Sequence, residues 1–289
     1  MLTVFSILES LTCQSPHVTH NEDVVGFAGS AAWVIDGATG VSDRPTLTPD
    51  STDAAWLATN LNRRLETAFA RPDADPTTVL MKVEAEIEAD FRSFEGASSL
   101  STGEQPTAGL ALVALVGKTL SFITIGDCRV LFENVDGSTA EFCQSEIGPI
   151  ESRIIERRRG LIETYPGEDP WPRLKPFIQS LRQHINTEEG YSVVHPTRRW
   201  VHRLKYKKLP SSTVRHALIV SDGLYRLVDG FGTFDAPGLL REAIRKGLRE
   251  LLKRLRSLEA ADQNCEQYPR VKISDDASGV LIRIAATSK

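Results

Sequence analysis

The stretch from Gly109 to Cys143, GLALVALVGKTLSFITIGDCRVLFENVDGSTAEFC, decides the fold class. Apolar and β-branched residues fill Gly109 to Val116, Thr119 to Ile125 and Val130 to Asn134, and a shorter run covers Thr139 to Cys143. Each reads as a strand. The links Gly117-Lys118, Gly126-Asp127 and Asp136-Gly137 are short and carry turn residues, which predicts antiparallel hairpins.

Working outward, Thr3 to Leu8 reads as a first strand and Trp33-Val-Ile35 as a second, ending in Asp36-Gly37. A helix is expected from about Asp50 or Ser51, with Ala54, Leu57, Leu61, Leu65 and Ala68 at helical spacing. Another is expected from Thr78 to Phe94, with Leu80, Val83, Ile87 and Phe91 on one side. From about 146 to 208 the periodicity weakens, and charge, Pro and Trp accumulate. That region reads as a flap or irregular insertion in one domain spanning 1–289. The apolar strand Ala217 to Val220 follows, then one long amphipathic helix from Pro237 to Leu258 and a last strand from Gly279 to Ala285. The order implies an α+β fold with two antiparallel sheets packed together and helices outside them, a four-layer α-β-β-α sandwich.

Composition narrows the function classes. The chain has 289 residues, 41% hydrophobic and 25% charged, enough to bury a full core. Its net charge of −4 gives no reason to expect nucleic acid as a partner. No apolar run approaches the roughly 20 residues of a membrane helix, and the first residues lack the basic start of a signal peptide. Four scattered cysteines without a CxxC pair suit a reducing compartment better than a disulfide framework or a zinc site. A cytoplasmic monomer is the expectation.

Acidic residues recur where apolar strands begin or end. Asp36 closes Trp33-Val-Ile, Asp222 follows Leu218-Ile-Val-Ser, and Asp275 precedes Gly-Val-Leu-Ile; Asn21-Glu22-Asp23 and Gly126-Asp127 add three more acids. Any one such pair is an ordinary turn. Together they form carboxylates held rigidly near one another if the strands adjoin, and a cation is the natural means of offsetting their repulsion. All-oxygen donors suit Mg²⁺ or Mn²⁺ rather than zinc or copper. Two divalent ions would leave a positive excess over Asp36, Asp222 and Asp275 for a phosphate dianion. A water between them would have a lowered pKa and could attack phosphorus without a side-chain nucleophile.

The ordered series NED, VIDGATG, PTAG, IGDCR, LIVSDGLY and ISDDAS, over residues 18 to 285, resembles the metal-dependent Ser/Thr protein phosphatases of type 2C. The resemblance implies hydrolysis of phosphoserine and phosphothreonine in phosphorylated protein substrates. Residue by residue, it implies that Asp36 bridges two metals and the Gly37 carbonyl binds one of them. Asp222 and Asp275 would hold the other metal, Glu22 and Asp23 would act through waters, and Asp127 would help hold a possible third ion. The resemblance gives no cofactor beyond these ions.

Four positions depart from the family pattern: Val18 replaces a phosphate-gripping arginine, Ala38 a histidine, Asp276 an asparagine, and Arg226 a carboxylate. They keep open an alternative, a catalytically silent pseudophosphatase that binds phosphoproteins. Hydrolysis of a small phosphorylated metabolite at the same site is a third reading. Elsewhere the plain readings are preferred. His17 and His20 are loop histidines, Arg129 is an ion-pair partner, and Cys128 is a small buried residue. Arg198 to Lys208 and Glu156 to Arg159 are solvated charge, and Trp171 is a packing anchor for the flap.

Overall fold

A computed structural model describes residues 3–42, 47–48, 50–71, 73–144 and 146–286. In chain order the strands are β1 (Thr3–Cys13), β2 (Asp23–Ala28), β3 (Ala31–Ala38), β4 (Thr107–Val116), β5 (Thr119–Ile125), β6 (Arg129–Asn134), β7 (Thr139–Phe142), β8 (Lys205–Pro210), β9 (Val214–Val220) and β10 (Ala277–Ala286). The helices are α1 (Asp53–Phe69), α2 (Pro76–Arg92), α3 (Ile147–Thr164), α4 (Trp171–Arg182), α5 (Asp222–Tyr225), α6 (Ala236–Lys246) and α7 (Leu248–Ala261). One antiparallel sheet runs β1-β10-β9-β6-β7 and the other β2-β3-β4-β5-β8.

Alternation within the strands builds the layers. In β3, Ala32 and Val34 face the other sheet, whereas Trp33 and Ile35 pack on α1 and α2 with Leu57, Leu61, Leu80 and Ile87. Phe122 of β5 and Phe132 of β6 stack between the sheets at 4.9 Å. Leu218, Val220 and Leu281 form the opposite face with Leu240, Leu251 and Leu255 of α6 and α7. Strands covered on both faces read as continuous apolar runs, which is why GLALVALV shows no alternation. The four layers follow directly.

The link at Gly126-Asp127 is not a hairpin. β4 pairs with β5 around Gly117-Lys118, and β6 with β7 around Asp136-Gly137, but β5 and β6 lie in different sheets. Gly126 takes a positive φ of 82°, and a Cβ there would meet the Gly109 Cα at 2.7 Å. The chain therefore crosses between layers in three residues and leaves Asp127 beside Gly109, near the start of β4.

The helix expected from Pro237 to Leu258 is two. Gly247 has φ 85° and ψ 167°, outside the helical region, and separates α6 from α7. The carboxylate of Glu9 in β1 caps the new N-terminus, accepting from the backbone N–H groups of Leu248 at 2.8 Å and Arg249 at 3.4 Å. The leucine stripe continues across the break, so periodicity alone conceals it.

The region from 146 to 208 is more regular than its sequence suggests. α3 and α4 pack on each other, and both present mostly exposed polar faces, which weakens the periodic signal. Trp171 is 46% exposed, so it does not anchor this segment by packing. Trp200 is fully buried; its backbone N–H and that of Val201 donate to Glu84 Oε1 in α2, at 2.6 and 2.9 Å. Lys205–Pro210 forms the edge strand β8 against β5, with lysines along it, a pattern that discourages edge pairing with other chains. Cys13, Cys128, Cys143 and Cys265 are free thiols. Among the described residues no helix is long and apolar enough to cross a membrane.

Candidate metal centre

The strand register brings the acids to one end of the sandwich. Asp23 pairs with Asp36 across β2 and β3, and Asp36 pairs with Gly109 of β4. The Gly37 N–H donates to the Glu22 carbonyl at 3.2 Å. A Cβ on Gly37 would lie 2.6 Å from that oxygen, so only glycine permits the approach. In the other sheet, the Ser221 N–H donates to Ser278 O and the Ser278 N–H to Ser221 Oγ, both at 3.0 Å, which fixes the end of β9 to the start of β10. Asp222 then opens α5, and its backbone N–H donates to Asp36 Oδ2 at 3.3 Å. That bond joins the two sheets.

Asp36, Asp127, Asp222 and Asp275 line one cavity of ≈230 Å³. Glu22 and Asp23 are not in its wall; Glu22 Oε1 accepts from Thr39 Oγ1, and Asp23 is 4% exposed. Among the described residues, one set of three ligand atoms lies at coordination spacing. It comprises Asp36, Asp127 and Cys128, all within 4.8 Å of one another. Asp36, Asp222 and Asp275 do not close into such a set. Asp275 is turned to basic side chains instead. Lys272 Nζ donates to its Oδ1 at 2.8 Å, and Arg226 Nη2 donates to its Oδ2 at 3.1 Å. Arg226 also lies 3.7 Å from Asp222 Oδ2.

Electrostatics divides the centre. Burial pushes Asp23 and Asp36 well above the usual carboxylate range, and neighbouring Asp222 raises both further. Asp127 is pushed up to about 7 by burial and then by Asp222. Burial acts on Asp222 too, but the Arg226 guanidinium and the hydrogen bond shared with Asp36 outweigh it and hold Asp222 below its ordinary value. Within the pair the surroundings favour the charged form of Asp222 over that of Asp36. Burial raises Asp275 despite Lys272. Asp23 Oδ2 is buried with no hydrogen-bond partner. Three clustered carboxyls whose charged forms are disfavoured, and one orphaned oxygen, mark missing positive charge. The Asp36 and Asp127 end, all oxygen apart from Cys128, fits a hard divalent ion. The Asp275 end fits one poorly, because both of its oxygens already accept from cations.

The family model for protein phosphatase 2C matches residues 17–263. The chain belongs to the protein phosphatase 2C family. Its fold is similar to the serine/threonine phosphatase PstP/Ppp of Mycobacterium tuberculosis, with 14% identity, a TM-score of 0.58, and coverage of 98% of this chain and 99% of that one. The catalytic domain of PstP in complex with two manganese ions matches at 16% identity and a TM-score of 0.55, over 99% and 100% of the two chains. Stp1 of Staphylococcus aureus matches at 14% identity and a TM-score of 0.54, over 98% and 95%. At these identities the likeness is one of fold. No curated protein sequence matches.

Several residues in and around this cavity carry no legible signal in the sequence. Asp276 turns away from Asp275's partners; its Oδ1 accepts from the Ser15 N–H and its Oδ2 from the Glu22 N–H, both at 2.7 Å. Its pairing with backbone 254 residues distant could not be read from sequence. Lys272 gave no sign beyond its place three residues before Asp275. Ile147, Ile150 and Ile154 of α3 and Ile178 and Leu181 of α4 form an apolar wall of the cavity. Arg129 behaves as the sequence suggests, with Nη1 2.6 Å from Glu141 Oε1 and the guanidinium 4.2 Å from the Tyr225 ring centre.

Proposed function

We propose that the chain is a metal-dependent phosphoprotein phosphatase that hydrolyses phosphoserine and phosphothreonine. The observation supporting this reading is the gathering of Asp36, Asp127 and Asp222 around one cavity in a 2C-type fold. Asp36, Asp127 and the Gly37 carbonyl would hold Mn²⁺ or Mg²⁺. When bound, the ion supplies an activated water and offsets charge on the phosphoryl oxygens. The chain's own side chains do the rest. The hydrogen bond from the Asp222 backbone N–H to Asp36 Oδ2 holds the Asp36 carboxyl across the two sheets. The Ile150 and Leu181 wall limits water access to the cavity. Arg226, with Lys272 beside it, would offset the charge of Asp222 and Asp275 on the far side and so lessen their repulsion of a phosphate. The protein would act as a monomer in the cytoplasm.

The test is release of phosphate from a phosphoserine peptide by purified protein with Mn²⁺. Turnover that is abolished by chelation and by Asp36→Asn is expected; turnover insensitive to both, or none at all, sinks the reading. A second reading has its own support in the pairing of Asp275 with Arg226 and Lys272. It makes the chain a phosphoprotein-binding module without hydrolysis. Tight binding of the phosphopeptide without phosphate release would favour it.

A further inference from the structure

We infer that Arg226 and Lys272 form a built-in dication at the Asp275 end of the centre, so that the chain takes one divalent ion, at the Asp36–Asp127 end, rather than two. The inference rests on the metal-dependent reading above and concerns the number and place of the ions.

Asp275 has no free oxygen. Its Oδ1 accepts from Lys272 Nζ at 2.8 Å and from the Asp276 N–H at 3.1 Å, and its Oδ2 accepts from Arg226 Nη2 at 3.1 Å. A Mg²⁺ or Mn²⁺ ion approaches its oxygens to about 2.1 Å in a near-octahedral shell. It would have to displace one of these cations and then remain beside the other. Arg226 is only 8% exposed, and its Nη1 is buried without an acceptor, so the guanidinium keeps one unpaired donor inside the centre while its charge faces Asp275 and Asp222. It also reaches toward Asp222 at 3.7 Å. One guanidinium and one ammonium together carry the charge of a single divalent ion, and they are placed against Asp222 and Asp275.

The opposite end differs in each respect. Among the described residues, no Lys, Arg or His forms an ion pair with Asp36 or Asp127. Their ligand atoms, with that of Cys128, lie within 4.8 Å of one another, about the span of a single coordination sphere. The sequence points the same way: a basic residue stands four positions after Asp222, on the same turn of chain, where its side chain can fold back on that carboxylate.

Counting ions tests the inference without reference to turnover. Equilibrium dialysis against Mn²⁺, read by electron paramagnetic resonance, should give one ion per wild-type chain at saturation and no spin-coupled pair. The double variant Arg226→Met with Lys272→Met should bind two ions and show the coupled signal. Arg226→Lys should remain at one. Circular dichroism melting establishes that each variant is folded. If the double variant does not fold, Lys272→Met alone, at a side chain exposed enough to tolerate replacement, should tighten a second ion at least tenfold; no change overturns the inference. Two ions in the wild type overturn it while leaving the phosphatase reading intact. One ion in both wild type and folded double variant also overturns it. No ion at all would remove the inference and the metal-dependent reading together.

Discussion

Asp276 and Glu22, 254 positions apart, are joined by a 2.7 Å hydrogen bond from the Glu22 backbone N–H to the Asp276 carboxylate. The other oxygen of the same carboxylate accepts from Ser15 N–H, so one side chain ties the start of β10 to the loop leading into β2. Asp276→Asn keeps one acceptor but turns an amide donor toward the second N–H. It should destabilise the fold by about 1–3 kcal/mol, the cost of a buried group left unpaired. Urea denaturation measures this, and an unchanged midpoint would show that the tie is dispensable.

Asp36→Asn should abolish ion-dependent turnover more severely than the roughly 10–100-fold loss that follows removal of a metal's outer partners. The variant should keep its melting temperature in chelator, because burial already disfavours the charged form of the wild-type carboxyl. A phosphatase assay paired with melting curves separates the two effects. A variant with wild-type activity contradicts the assignment.

Asp127 gives a pH dependence with a definite sign. Its folded-state affinity for a proton is raised, to about 7 from 3.8, by burial and by Asp222. Between these values the folded chain binds more protons than the unfolded one, so stability falls as pH rises. In chelator, the protein should be more stable at pH 5 than at pH 8, losing that margin as pH passes about 7. Asp23 and Asp36 act in the same direction. Asp127→Asn should flatten the trend and raise the melting temperature at pH 8 while weakening Mn²⁺ binding. Melting curves across this range decide it, and stability rising toward pH 8 in the wild type would refute it.

Ion removal should register in stability as well as activity. Mn²⁺ at about 100 times its Kd adds about 2.7 kcal/mol to a protein that binds it only when folded. The same addition should do little for Asp36→Asn. Denaturation in Mn²⁺ and in chelator compares them.

Glu9→Ala removes the cap of α7 and should cost about 0.5–2 kcal/mol. Glu9→Gln, which retains an acceptor, should recover part of the loss. Equal effects of the two substitutions would mean that the carboxylate is not the cap.

The sequence announced those parts of the fold whose signals are local. Apolar runs that end in acids located β3, β9 and β10 and their carboxylates, because a strand buried on both faces leaves little choice of residue. Turn residues marked the hairpins at Gly117 and Asp136 correctly, but the same signal at Gly126 concealed a crossing between sheets. So short a link does not reveal whether the next strand pairs or changes layer when both its faces are apolar. Gly247 was equally mute, since a leucine stripe can run through two helices meeting at a glycine. α3 and α4 escaped because most of their surface is solvated. At the centre, Asp36, Asp127, Asp222 and Asp275 share one cavity, whereas the basic partners of Asp275 depend on side-chain directions that spacing does not encode. Arg226 was visible as a departure from the family pattern, and its charge is what matters.

The bond between Asp222 and Asp36 spans 186 positions and connects the two sheets at their open end. A cation gripped beside it by Asp36 at the end of β3 and Asp127 in the link between the sheets would act there as a rivet. It would close a very long loop of chain, as a cross-link does, in a protein whose four thiols are all unpaired. Pulling the layers apart would then require release of the ion first, and forced unfolding would start from whichever end of the sandwich lacks one.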